Sequence, residues 1–130
     1  MRIWKEFTVE VAHRLPNLPP EHKCARLHGH SIRFRLHVEG RKDPTTGWVT
    51  DFGGLMRATG DMLLQELDHR YLNEIPGLEN PTAENLAEWI WDRVAVTALG
   101  GNANDFRLCT VEVFETCTSG VWYERKARWG

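Results

Sequence analysis

Two stretches of strict alternation constrain this chain more than anything else in it. In "FTVEVAH", Phe7, Val9, Val11 and His13 fall on one face of an extended segment, while Thr8, Glu10 and Ala12 fall on the other. In "HGHSIRFRLHVE", His28, His30, Ile32, Phe34, Leu36 and Val38 share a face, opposed by Arg33, Arg35, His37 and Glu39. A period of two over so many residues fits strands with one buried face and does not fit a helix. Both apolar rows end in histidine.

The remaining elements follow from local signals. "RLPNLPPEHK" is a proline-rich loop, because proline supplies no ladder donor. "KDPTTG" is a turn, and "WVTDF" is expected as a short returning strand. Asp51 is expected to cap a helix over about 53–67, with Leu55, Ala58, Thr59, Met62, Leu63 and Leu67 as its apolar stripe. Gly60 inside that helix costs about 1 kcal/mol relative to alanine. "RYLNEIPGLENP" is expected as a long loop, and Thr82 as the cap of a second helix over about 83–98, carrying Leu86, Ile90, Val94 and Thr97. "GGNAND" is a turn, followed by strands in "RLCTVEVFE" and "VWYERKARW". This order predicts an α+β domain spanning 1–130: an antiparallel four-stranded sheet with two helices packed on one face.

Composition narrows the function classes. The 130 residues suffice for one domain with a core, and a net charge of -2 argues against a nucleic-acid or membrane-surface partner. No apolar run approaches the roughly 20 residues of a membrane span. The start "MRIWKEFTVEV" lacks the apolar region of an export signal. With three cysteines, an odd and sparse set, this leads us to expect reduced thiols in the cytoplasm.

The chemistry gathers where the alternating rows end. His28 and His30 share a face because one residue separates them, and His13 is in phase with the apolar row of its own strand. If the strands are neighbours, three imidazoles meet, an arrangement suited to catalytic Zn²⁺ with an open fourth position. Hydrogen-bonded core histidines are the alternative. Gly29 between two of them is read as leaving room near a metal. Cys24 lies four residues before His28, flanked by Lys23 and Arg26, and positive surroundings favour a thiolate. It is a candidate ligand, base or nucleophile, or a plain half-buried thiol. Asp68 and His69 adjoin each other in "LDHRYLN", a carboxylate–imidazole pair suited to proton transfer. Neighbours on a helix do not face each other, so a cap at the helix end is the competing reading. Glu115 ends the apolar row Cys109, Val111, Val113. A carboxylate there needs a partner, and the N–C–N edge of a 2-aminopyrimidinone ring is one; a solvent-facing strand end is the other.

The segments "FTVEVAHRLP", "HKCARLHGHS", "TGWVTDF", "LDHRYLN", "PGLENPTAENLAEWIW" and "ETCTSG" run in order from Phe7 to Gly120. Together they resemble the 6-pyruvoyltetrahydropterin synthase family, and within it the bacterial branch that forms 6-carboxy-5,6,7,8-tetrahydropterin in 7-deazaguanine (queuosine) biosynthesis. The resemblance implies the tunnelling fold, assembled into trimeric barrels that stack as homohexamers with sites at subunit interfaces. It implies that His13, His28 and His30 bind zinc, that Cys24 is the catalytic thiol assisted by Asp68 and His69, and that Glu115 anchors the pterin, with Thr82 and Thr116 close to it. The implied substrate is 7,8-dihydroneopterin triphosphate, cleaved to 6-carboxytetrahydropterin, acetaldehyde and triphosphate. Lys23, Arg26, Arg33 and Arg35 are candidates to attract the triphosphate, although Arg33 and Arg35 also fit a solvated strand face. "DFGGLMRATGDML" is richer in glycine than the corresponding helix of the family.

Overall fold

A computed structural model describes residues 1–100 and 105–125. The two alternating rows form its longest strands, β1 (Arg2–His13) and β2 (His28–Gly40). They pair antiparallel along their whole length, with Phe7 opposite Phe34 and Val9 opposite Ile32. A short strand, β3 (Arg70–Tyr71), flanks β1 in parallel, and β4 (Phe106–Thr116) and β5 (Ser119–Tyr123) complete the sheet. The strand order is β3-β1-β2-β4-β5. The four expected antiparallel strands are therefore present, and the fifth is a two-residue parallel edge inside the stretch read as loop. "WVTDF" is not a strand; its end feeds a wide helical turn, Phe52–Met56, with Asp51 accepting from the Gly53 amide at 2.9 Å. The turn expected at 100–105 and the end of the last expected strand lie largely outside the described residues.

Two helices, α1 (Arg57–Leu67) and α2 (Ala83–Ala95), cover one face of the sheet. Thr59, Gly60, Leu63 and Leu67 bury against β1, while Leu86, Ile90, Trp91 and Val94 bury against β4 and β5. Gly60 is there for a packing reason that periodicity cannot show. A Cβ on it would come within 2.6 Å of Phe7 Cδ1, and closer still to two further ring carbons. A bulge in β4 keeps the pattern in phase: Leu108 faces Val38 but Thr110 faces His37, leaving Cys109 as the extra, buried residue.

The other face is not the solvated row that the alternation suggested. Glu6 pairs with Arg33 at 3.0 Å and with Arg35 at 2.9 Å, while Glu112 takes His37 at 2.6 Å and Arg35 at 3.5 Å. The rings of Trp4 and Trp122 pack against His37, which is only 4% exposed. Adjacent strands bring opposite charges into register, and large rings then shield them. No helix among the described residues is long and apolar enough to cross a membrane.

Candidate metal and pterin site

The β1–β2 register sets the first part of the site. His13 stands opposite His28 and Val11 opposite His30, so all three imidazoles emerge on the helix-covered face where the two strands end. Their ring centroids lie 4.6, 5.1 and 4.9 Å apart. Gly29 is not part of this arrangement. It points to the opposite face, where a Cβ would meet Val11 O at 3.4 Å, an ordinary contact.

The outer nitrogens decide the tautomer. His13 Nδ1 donates to Pro81 O at 2.9 Å, and His28 Nδ1 donates to Arg26 O at 2.7 Å. A carbonyl oxygen only accepts, so in the neutral rings the proton sits on Nδ1, and both Nε2 lone pairs then point inward. Those two nitrogens are 3.0 Å apart. Facing lone pairs at that distance repel, and a cation between them turns the repulsion into attraction. Burial holds His13 below the ordinary imidazole range, and the neighbouring His28 and His30 add to this against the Pro81 hydrogen bond. Glu115 Oε1 lies 3.2 Å from His30 Nε2 and 3.8 Å from His13 Nε2. One donor atom from each of the four residues fits within 4.8 Å of the others. Three imidazoles, two of them oriented by carbonyls, with a carboxylate alongside, suit Zn²⁺ in donor type and in outer support.

Cys24 is placed by backbone. It sits on a single helical turn, Lys23–Ala25, whose first residue is preceded by His22, which accepts from the Cys24 amide at 3.0 Å. The Cys24 carbonyl accepts from Leu15 N at 2.8 Å, tying this turn to the residues just after His13. A cavity of about 440 Å³ is lined by Lys23, Cys24, His28, His30, Glu115 and Thr116. A second, of about 230 Å³, lies against Glu115 beside Ala83, Glu84, Ser119, Gly120 and Val121. Glu115 borders both. Thr116 Oγ1 is 2.6 Å from Ser119 Oγ in the β4–β5 turn. The Thr82 hydroxyl accepts from Asn85 N at 3.1 Å as the cap of α2, one residue before the lining of the smaller cavity. Of the candidate cations, only Lys23 lines the larger cavity. Alternation carries Arg33 and Arg35 to the opposite sheet face, and Arg26 contributes its carbonyl.

Asp68 and His69 do meet. They are not neighbours on a helix, because α1 ends at Leu67: Asp68 is extended (φ -69, ψ 133) and His69 is left-handed (φ 58). His69 Nδ1 lies 3.0 Å from Asp68 Oδ2, while Asp68 Oδ1 accepts from Glu10 N at 2.8 Å. That amide, followed by the bond to His69, pulls the Asp68 carboxyl below its usual range. Neither residue lines the Cys24 cavity, and the His69 side chain is 78% exposed. Two groups escaped the reading of the residues: the Pro81 and Arg26 carbonyls, since any residue supplies a carbonyl and only the fold aims it.

The motif order is matched across nearly the whole chain. The family model described as 6-pyruvoyl tetrahydropterin synthase fits residues 2–126. The chain belongs to the 6-pyruvoyl tetrahydropterin synthase family. Within it, a 6-carboxy-5,6,7,8-tetrahydropterin synthase of a Synechocystis strain is 43% identical over 125 residues, covering 93% of this chain and 91% of that one. A dihydroneopterin monophosphate aldolase of Pyrococcus furiosus is 38% identical over 98 residues, 75% of this chain and 78% of its own. The solved Caenorhabditis elegans 6-pyruvoyl tetrahydropterin synthase superposes with a TM-score of 0.82 at 24% identity, covering 97% of this chain and 96% of that one. The family expected from the motifs is the family found, and the α+β layering matches that of its solved members.

Proposed function

We propose that this protein is a 6-carboxytetrahydropterin synthase that binds zinc through His13, His28 and His30. Its reaction would be 7,8-dihydroneopterin triphosphate plus water giving 6-carboxy-5,6,7,8-tetrahydropterin, acetaldehyde and triphosphate, within 7-deazaguanine biosynthesis in the cytoplasm. The atoms balance with no external oxidant: the ring gains the hydrogens that the side chain gives up. The observation that carries the reading is one cavity holding His28, His30, Cys24 and Glu115, with the inward Nε2 of His13 in contact with His28. Full-length likeness to a relative named for this activity supports it.

Zinc, when bound, supplies positive charge that acidifies the side-chain hydroxyls of the substrate. The protein's own groups do the rest. Glu115 accepts two hydrogen bonds from the N–C–N edge of the pterin ring. Cys24, as thiolate, takes a proton from the side-chain carbon next to the ring and returns it elsewhere. Asp68 fixes the tautomer of His69, which acts as the second proton carrier. Thr116 borders the bound ring, with Thr82 near the smaller cavity, and Lys23 faces the triphosphate. Asp68 and His69 lie outside their own chain's cavity, which supports a role for them in a neighbouring subunit of a homohexamer of two trimers.

The deciding experiment incubates zinc-loaded protein with 7,8-dihydroneopterin triphosphate and assays acetaldehyde and triphosphate together. Equal amounts of both are expected. Triphosphate without acetaldehyde would make the protein a pyruvoyl-forming enzyme. Triphosphate still attached to a two-carbon aldehyde would indicate aldol cleavage, the activity type named for the Pyrococcus relative. No product at all would leave a metal- or pterin-binding protein.

A further inference from the structure

One side chain in "LDHRYLN" has no part in the reaction above, yet it makes three hydrogen bonds beside the histidine cluster. Asn73 Oδ1 accepts from Arg14 N at 3.0 Å, and Asn73 Nδ2 donates to Arg14 O at 2.8 Å. The same Nδ2 reaches Glu79 O at 3.4 Å. The orientation of the amide is unambiguous, because two partners are carbonyl oxygens and one is an N–H.

The placement matters. β3 pairs with β1 only at Val11–Arg70 and Ala12–Tyr71, then turns away into a short helical turn, Leu72–Glu74. The Asn73 side chain continues the ladder where the β3 backbone leaves it. It holds both polar groups of Arg14, the residue directly after His13. Its third bond draws in the segment at 79–81, and Pro81 of that segment supplies the carbonyl that orients the His13 ring. Thus one amide grips the backbone below His13 and the strand of chain above it.

We infer that Asn73 is a positioning residue for metal binding: it fixes the His13 ring by tying Arg14 to the 79–81 segment. This rests on the metal reading of His13, His28 and His30, and Asn73 itself touches neither metal nor substrate. Losing such outer support costs roughly 10–100-fold in metal affinity.

The test is zinc affinity of the purified full chain, measured by competition with a chromogenic chelator, for wild type, Asn73→Ala, Asn73→Asp, His13→Ala and Asp43→Ala. Asp43 is the control, since it also bonds two backbone amides, Thr45 N and Thr46 N at 2.8 Å each, but in a loop apart from the site. The expected result is a loss of roughly 10–100-fold for Asn73→Ala, with Asp43→Ala unchanged. Asn73→Asp keeps the acceptor for Arg14 N but sets a carboxylate against two carbonyls, so it should lose affinity as well; it decides the matter if the alanine variant does not fold. As a second readout, ¹⁵N shifts of the His13 ring in zinc-free protein should show the Nδ1-H form depleted in the Asn73 variants alone. Wild-type zinc affinity in both Asn73 variants would overturn the inference, as would an equal loss in Asp43→Ala. Absence of zinc binding by wild type, or full binding by His13→Ala, would instead overturn the metal reading beneath it.

Discussion

Replacing Gly60 with alanine sets two effects of opposite sign against each other. Helix propensity alone favours alanine by about 1 kcal/mol at an interior position such as this one. The structure opposes it. The new methyl would stand within 2.6 Å of Phe7 Cδ1, and Phe7 has no free direction to retreat, being 8% exposed and stacked on Phe34 with centroids 5.3 Å apart. Overpacking of a core costs about 1–3 kcal/mol and sometimes more. With the ring obliged to move by a large part of a van der Waals radius, we place the cost at the upper end, about 2–3 kcal/mol before the propensity gain. The net expectation is a loss of about 1–2 kcal/mol, or roughly 3–10 °C in Tm for a domain of this size. Denaturant unfolding at fixed protein concentration measures it, with zinc removed so that metal linkage does not contribute. Phe7→Leu should be destabilising alone and should recover part of the loss when combined with Gly60→Ala, because the two changes share one space. A Gly60→Ala variant about 1 kcal/mol more stable than wild type would mean that propensity, not the Phe7 contact, governs the position.

Other outcomes are expected from the site. Cys24→Ala should keep its zinc and lose turnover by at least roughly a hundredfold, the lower scale of general acid–base contributions; metal analysis and a product assay check both halves. Lys23→Gln should raise KM for the triphosphate substrate and leave the affinity for unphosphorylated dihydroneopterin unchanged in a fluorescence titration. Because His13 is held below the ordinary imidazole range by burial, the unfolded chain takes up its proton first as pH falls. Stability from this group is therefore complete above about pH 6.5 and lost below it, so the urea midpoint of zinc-free protein should fall from pH 7.5 to pH 5.5, and fall less in His13→Asn. If sites form between subunits, randomly mixing inactive Cys24→Ala and His69→Ala chains should restore about one quarter of wild-type activity, since one partner in four combinations supplies both groups; no recovery would confine the site to one chain.

What the sequence disclosed depended on whether the information was periodic. The alternation in "FTVEVAH" and "HSIRFRLHVE" fixes which residues share a face, so the imidazole cluster was legible before any contact was known. The same parity rule located Glu115 at the end of a buried row. The rule failed where pairing changes its logic. "WVTDF" has strand-forming residues but no partner strand, so it bends into the helix that follows. Arg33 and Arg35 read as a solvated strand face, yet Glu6 and Glu112 on adjacent strands pair with them and with His37 on the same face, and two tryptophans cover His37. Such cross-strand charge matching depends on register, which one strand's sequence does not contain. Nor could spacing reveal that Gly60 makes room for Phe7, more than fifty residues away along the chain.

A left-handed backbone at a residue with a Cβ costs roughly 1–2 kcal/mol, and His69 adopts it at φ 58 in a segment pinned by two hydrogen bonds to Glu10. The conformation turns the imidazole toward the Asp68 carboxylate, leaving it 78% exposed. A chain needs no such geometry merely to end a helix, for which glycine at this position serves without strain. Strain maintained to hold an exposed, tautomer-fixed imidazole is better explained by a task for the ring than by the stability of the turn. The cavity of the same chain does not include that ring; in the homohexamer proposed above, the ring would serve the cavity of a neighbouring subunit. On this reading, one chain carries the two halves of the site at separate places, thiol and metal ligands in its cavity and the proton-transfer pair on its surface, and assembly rather than folding completes the catalyst.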